Sequence, residues 1–125
     1  MNHTEISILL VDDSAIVRRS LRQLFEAAGF LCMEAENGAQ GLELAERLHP
    51  NLIVLDFSMP VMSGLEAAPL LKEKFSQTPI IMFTMFANDA FAKVAVAACV
   101  TEVIPKDKAS HLLPRVGSLL KLEGE

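Results

Sequence analysis

The sequence predicts an α/β fold, a doubly wound parallel sheet of five strands with helices on both faces. Short, continuous apolar runs alternate with longer stretches of helical period, and five such units follow one another. Runs one, three and four end directly beside Asp12, Asp56 and Thr84, and Lys106 follows the fifth after one residue. That loads one edge of the sheet with chemistry.

The strand runs are residues 6–11, 31–35, 52–55, 80–83 and 103–104, the last being the shortest. The first helix carries Val17, Leu21, Leu24, Phe25 and Ala28 on one stripe, with Arg18, Arg19, Arg22 and Glu26 elsewhere, and Gly29 supplies its stop. The second, about residues 39–48, follows the turn signal Asn37-Gly38 and ends before Pro50. The third begins at Ser63, with Glu66 placed for a capping box. Pro69 falls inside it, where the lost hydrogen bond costs about 3 kcal/mol, so an irregular first turn is expected. The fourth follows Asn88 or Asp89. The fifth runs from about residue 110 to 122 with Leu112, Leu113, Val116, Leu119 and Leu120 facing inward and Pro114 tolerated near its first turn.

With 125 residues, 51% of them hydrophobic, the chain has the material for one core, and residues 1–125 read as a single domain without repeat or linker and with a frayed end after Lys121. A net charge of −5 and the lack of a Lys/Arg run argue against direct binding of nucleic acid or of an anionic membrane. No signal peptide or membrane-spanning segment precedes Asp12-Asp13, and Cys32 and Cys99 read as reduced core residues, which together predict a soluble cytoplasmic protein. His3, His49 and His111 have no carboxylate or cysteine at ligand spacing and are assigned no function. The methionines read as packing residues.

Open parallel sheets bind ligands beyond the carboxyl ends of their strands. Here strand one ends in Asp12-Asp13, strand three in Asp56, strand four in Thr84 and strand five in Lys106. Carboxylates sharing a cavity repel one another unless a cation lies between them, and hard oxygen ligands with positions left for water suit Mg²⁺. A metal on aspartates implies phosphoryl chemistry, with Asp56 as the nucleophile on the central strand. The phosphoryl oxygens then find a metal, the Thr84 hydroxyl and the Lys106 ammonium as partners.

From residue 6 to residue 122 the chain resembles a response-regulator receiver domain. The resemblance rests on Ile8-Leu9-Leu10-Val11-Asp12-Asp13, Leu55-Asp56-Phe57-Ser58-Met59-Pro60 with Ser63-Gly64, Thr84 after an apolar strand, and Lys106, in that order and spacing. It implies a flavodoxin-like fold with strand order 2-1-3-4-5. It further implies that Asp56 is the phosphoacceptor and that Mg²⁺ (or Mn²⁺) is bound directly by Asp13 and Asp56, through water by Asp12, and by the backbone carbonyl of Ser58. Thr84 and Lys106 would hold the phosphoryl oxygens, with Thr84 shifting inward to couple the site to the distal face. The implied partners are a sensor histidine kinase or phosphotransfer protein and a downstream protein contacted through helix four, strand five and helix five. Turnover would be limited to self-phosphorylation from donors and slow self-dephosphorylation, without enzyme activity in the usual sense.

Three positions depart from the family pattern. Val103 stands where a switch aromatic is usual, so no ring can rotate there, and a signal has to pass through Thr84, Met85 and the following loop. Asp107 follows the lysine in place of proline, and a trans Lys106–Asp107 bond is expected because a cis one costs about 2.5–4 kcal/mol. Met85 and Phe86 replace a small residue and are expected to hood the site, which predicts a long-lived phosphoryl state.

Blander readings stand beside these. Asp12-Asp13 alone fits a turn and helix N-cap, Asp56 a strand end, and Lys106 a solvated cation; their joint occurrence at four matching strand ends favours the functional reading. Residues 90–100 carry one charge, Lys93, among Phe91, Val94, Val96, Cys99 and alanines. Two accounts stay open for this surplus: an apolar patch for a partner or a second copy of the chain, or alanines that merely favour helix beneath covering loops. Two functional alternatives are a receiver-like interaction module switched without phosphorylation and a fragment of a DNA-binding response regulator. Flavin binding on the same fold is disfavoured by the acidic Asp12-Asp13-Ser14 turn. A hydrolase is disfavoured because no separate base accompanies Asp56.

Overall fold

The computed structural model describes residues 5–59 and 61–122, so His3, Pro60 and the last three residues lie outside it. Five strands, β1 (Ser7–Val11), β2 (Leu31–Ala35), β3 (Leu52–Leu55), β4 (Ile80–Thr84) and β5 (Glu102–Pro105), alternate with helices α1 (Ala15–Ala27), α2 (Gly38–Leu48), α3 (Gly64–Lys74), α4 (Asp89–Ala97) and α5 (Leu112–Leu119). All strand pairs are parallel, and the order is β2-β1-β3-β4-β5.

The central strands β1, β3 and β4 are apolar apart from the terminal Ser7 and Thr84 because both faces of the sheet are covered there. On one face Ile8, Leu10, Leu52, Val54, Ile81 and Phe83 pack with Leu21 and Phe25 of α1 and Leu112 and Val116 of α5. On the other, Leu9, Val11, Ile53, Leu55, Ile80 and Met82 pack with Ala45 of α2, Ala67, Ala68 and Leu71 of α3, and Ala95 of α4. Alternation along each strand sends successive side chains to opposite cores.

Side-chain caps start the helices where the chain leaves the sheet: Ser14, Asn37, Ser63 and Asn88 each accept a first-turn backbone N–H. At the far end of α1, Gly29 at φ 94° donates to Glu26 and Phe30 to Phe25, the paired bonds that end a helix through a left-handed residue.

Three expectations are corrected. The first turn of α3 is regular: Ser63 Oγ accepts the Glu66 N–H at 3.2 Å and Glu66 Oε1 accepts the Ser63 N–H at 3.1 Å. These reciprocal bonds fix the turn, and the helix continues through Pro69 because Ala67, Ala68 and Leu71 are buried on either side of it. The fifth helix is preceded by a 3-10 turn, Lys106–His111, with non-helical backbone at Lys108, so α5 proper begins only at Leu112. Cys32 is buried as expected, but Cys99 is exposed. Cys99 occupies the left-handed position after α4, at φ 75°, donating to Val96 while Val100 donates to Ala95, and the turn directs its side chain outward.

Candidate metal and phosphoacceptor site

Strand register builds the site. Val11 pairs with Leu55, so Asp12 and Asp56 leave the sheet side by side, and the Asp56 N–H donates to Val11 O at 2.9 Å. Thr84 pairs with Pro105, which brings Lys106 to the same edge one residue later.

Carboxylate oxygens of Asp12, Asp13 and Asp56 lie within 4.8 Å of one another. Asp12 and Asp56 are buried and Asp13 is exposed. The Lys106 ammonium bridges the buried pair, 2.9 Å from Asp12 Oδ2 and 3.3 Å from Asp56 Oδ2. Asp56 Oδ1 accepts the Phe57 N–H at 2.8 Å, which fixes the carboxylate rotamer and leaves Oδ2 toward the lysine.

The electrostatics follow from this packing. Burial, then the neighbouring Asp12 charge, raises the Asp56 carboxyl above its ordinary pKa, and Lys106 and the Phe57 N–H offset only part of the rise. Burial also works against the Lys106 ammonium, but its hydrogen bond to Asp12 and the charges of Asp12 and Asp56 outweigh that and raise its pKa. The donor set fits a hard divalent cation: carboxylate oxygens of both buried and exposed residues, close enough to share one ion and open to water on the Asp13 side.

Asp13, Asp56, Ser58, Met85, Phe86 and Lys106 line a cavity of about 280 Å³. Met85 (81% exposed) and Phe86 (51%) thus sit on the rim, as expected of a partial hood. Thr84 does not line this cavity; it is wholly buried, and its hydroxyl accepts the Phe86 N–H at 3.3 Å. It lines an adjoining cavity with Met85, Pro105 and Lys106. Asp12 spans its own turn, with Oδ1 accepting the Ser14 N–H at 2.9 Å, so the helix cap is Ser14 and neither aspartate. No cis peptide bond occurs among the described residues, and Lys106–Asp107 is trans.

Two features were not anticipated from sequence. Phe57, beside the central aspartate, packs edge-on against Phe86 (5.5 Å between centroids) and Phe91 of α4 (5.1 Å), joining the site to that helix through rings. Gly64 opens α3 directly against the Asp56 backbone, with its N–H donating to Phe57 O at 3.0 Å. The glycine at a fixed distance after Asp56 was a visible signal for this contact; the rings had none beyond their composition.

The family model for the response regulator receiver domain matches residues 8–116. The chain belongs to the response-regulator receiver family. This receiver is 43% identical over 86 residues to the nitrate/nitrite response regulator NarL of Escherichia coli K12, a match covering 67% of the chain and 40% of the relative. It is 37% identical over 91 residues to the chemotaxis protein CheY of Halobacterium salinarum, covering 73% of the chain and 76% of CheY. The chain therefore spans less than half the length of NarL and most of that CheY. Among solved structures, the response regulator TrrA of Thermotoga maritima in complex with Mg²⁺-BeF superposes with a TM-score of 0.82 at 29% identity, covering 91% of this receiver and 98% of TrrA. No helix among the described residues is long and apolar enough to cross a membrane.

Proposed function

We propose that residues 1–125 form one receiver domain acting as a phosphorylation-dependent switch of a two-component system, with Asp56 as phosphoacceptor. The observation that carries this reading is the convergence of the three carboxylates within 4.8 Å beside a lysine that reaches two of them. Asp13, Asp56 and the Ser58 carbonyl would hold Mg²⁺ or Mn²⁺ directly and Asp12 through water. When bound, the ion supplies positive charge against the oxygens of the transferring group.

The chain does the rest. The Asp56 carboxylate attacks the phosphorus of a phosphohistidine on a sensor kinase or phosphotransfer protein whose other ring nitrogen carries a proton; an O–P bond forms, the N–P bond breaks with its electron pair going to the ring nitrogen, and neutral imidazole leaves. Lys106 then pairs with a phosphoryl oxygen in place of the Asp56 carboxylate, and Thr84 turns its hydroxyl from Phe86 toward the acyl phosphate. Asp12 is paired with Lys106 and Asp13 would be taken up by the ion, so among the described residues no free base is left beside Asp56; hydrolysis is slow self-dephosphorylation, and Met85 and Phe86 at the rim slow it further. The output is altered contact of α4, β5 and α5 with a downstream protein or a second copy of the chain, where Val94 (54% exposed) and Val96 (59%) stand free of the core. The work is cytoplasmic and involves no direct contact with nucleic acid or membrane. Val103, half-buried against the second core where a switch ring is usual, favours one rival, a module switched by binding alone.

Incubation with a small phosphodonor and Mg²⁺, read by intact mass, separates the two. Retention of a labile phosphoryl group by the wild type and not by D56A is the expected result. Equal labelling of D56A, or no labelling of either, overturns the phosphoacceptor reading.

A further inference from the structure

Asp12 is the first residue beyond β1, and every polar group it has is held. Its N–H donates to Ala35 O at 3.1 Å, its Oδ1 accepts from Ser14 and its Oδ2 pairs with Lys106. Its backbone carbonyl accepts from Arg18 Nη1 at 2.6 Å. Arg18 lies one turn into α1 with its side chain 14% exposed, and its Nε donates to Glu34 Oε1 of β2 at 2.9 Å. Arg22, the next turn along, binds the other Glu34 oxygen and the Cys32 carbonyl but touches no residue of the acid cluster.

We infer that Arg18 is a positioning residue of the site: by gripping the Asp12 carbonyl it sets the Asp12–Asp13 peptide, and with it the two carboxylates that face the cation position. This rests on the metal-assisted reading given above. A guanidinium suits the task because its planar fork serves two partners in fixed geometry, one edge on the carbonyl and the other on Glu34. Glu34 also cancels the charge. Burial opposes its ionisation, but hydrogen bonds from Arg22 and Arg18 outweigh burial and lower its pKa, so the positive charge near the cation position is balanced. What Arg18 contributes to the site is therefore orientation.

The test measures Mg²⁺ dissociation constants by titration calorimetry, alongside urea stability in metal-free buffer, for wild type, R18Q, R18K, R22Q and D13N. Groups that orient metal ligands typically account for 10–100-fold in affinity, so R18Q and R18K are expected to weaken Mg²⁺ binding about tenfold. R22Q loses stability with wild-type affinity. Simple charge removal predicts the opposite sign, since deleting a cation near the site would tighten binding. Tighter binding by R18Q, an equal loss of affinity in R22Q, or wild-type affinity in R18K each overturns the inference. R18K alone decides the matter should R18Q fail to fold. Equal Mg²⁺ binding by wild type and D13N is a different failure, because it removes the metal site itself.

Discussion

Substituting Gly64 with alanine tests how tightly the phosphoacceptor strand and α3 are joined. A Cβ at Gly64 would lie 2.2 Å from the Asp56 carbonyl oxygen, 2.9 Å from its carbon and 2.9 Å from Met82 Cε. Ordinary contact needs about 3.5 Å, so roughly 1 Å of separation must be found. Asp56 has no room to retreat, because its N–H is bonded to Val11 in the central sheet. The helix must move instead, straining the Gly64 to Phe57 hydrogen bond and the burial of Ala67, Ala68 and Leu71. Overpacking against a fixed wall costs about 1–3 kcal/mol, and a hydrogen bond about 1 kcal/mol. The better helix propensity of alanine returns up to about 1 kcal/mol. The net expectation is a loss of about 1–4 kcal/mol in urea unfolding. G64A within about 0.5 kcal/mol of wild type, the range of a neutral surface change, would show that the helix yields freely and refute the steric reasoning.

Two further outcomes follow from burial. Folding raises the Asp56 pKa, chiefly by desolvation and then by Asp12, so its contribution to stability is intact below the ordinary carboxylate range and is lost as pH rises through the folded value. D56N removes that loss and is expected, in metal-free buffer, to be more stable than wild type at neutral pH, with the gap closing in acid; equal stability at neutral pH, or a gap that widens in acid, contradicts it. Iodoacetamide should add one group to the native chain, at exposed Cys99, and a second only in urea, because Cys32 is buried with its thiol pushed up to about 11; two adducts under native conditions would place Cys32 at the surface.

The strands were legible because two-sided burial leaves continuous apolar runs, and Asp12-Asp13, Asp56, Thr84 and Lys106 stood out because each lies at or within two residues of the end of such a run. Register was not. That Val11 faces Leu55 and Thr84 faces Pro105 is a matter of pairing between distant segments, carried by no local signal. The sequence likewise placed Thr84 at the site but could not show the local turn in which its hydroxyl accepts the Phe86 N–H two residues on. Pro69 misled because a single-residue penalty was weighed without the capping box and the buried neighbours that outweigh it. Cys99 misled because an apolar neighbourhood in sequence says nothing of a left-handed turn. Arg18 and Arg22 look alike as charges on a helix face, and only the fold shows that one of them reaches the acid edge.

The lysine between Asp12 and Asp56 neutralises part of the charge of this acid edge. Its ammonium sits between two buried carboxylates, where mobile salt penetrates little and screening is weak. The attraction across this pair is therefore expected to change little with added salt. An ion bound beside exposed Asp13 would add its binding free energy to the stability of the folded chain, so urea midpoints would rise with free Mg²⁺.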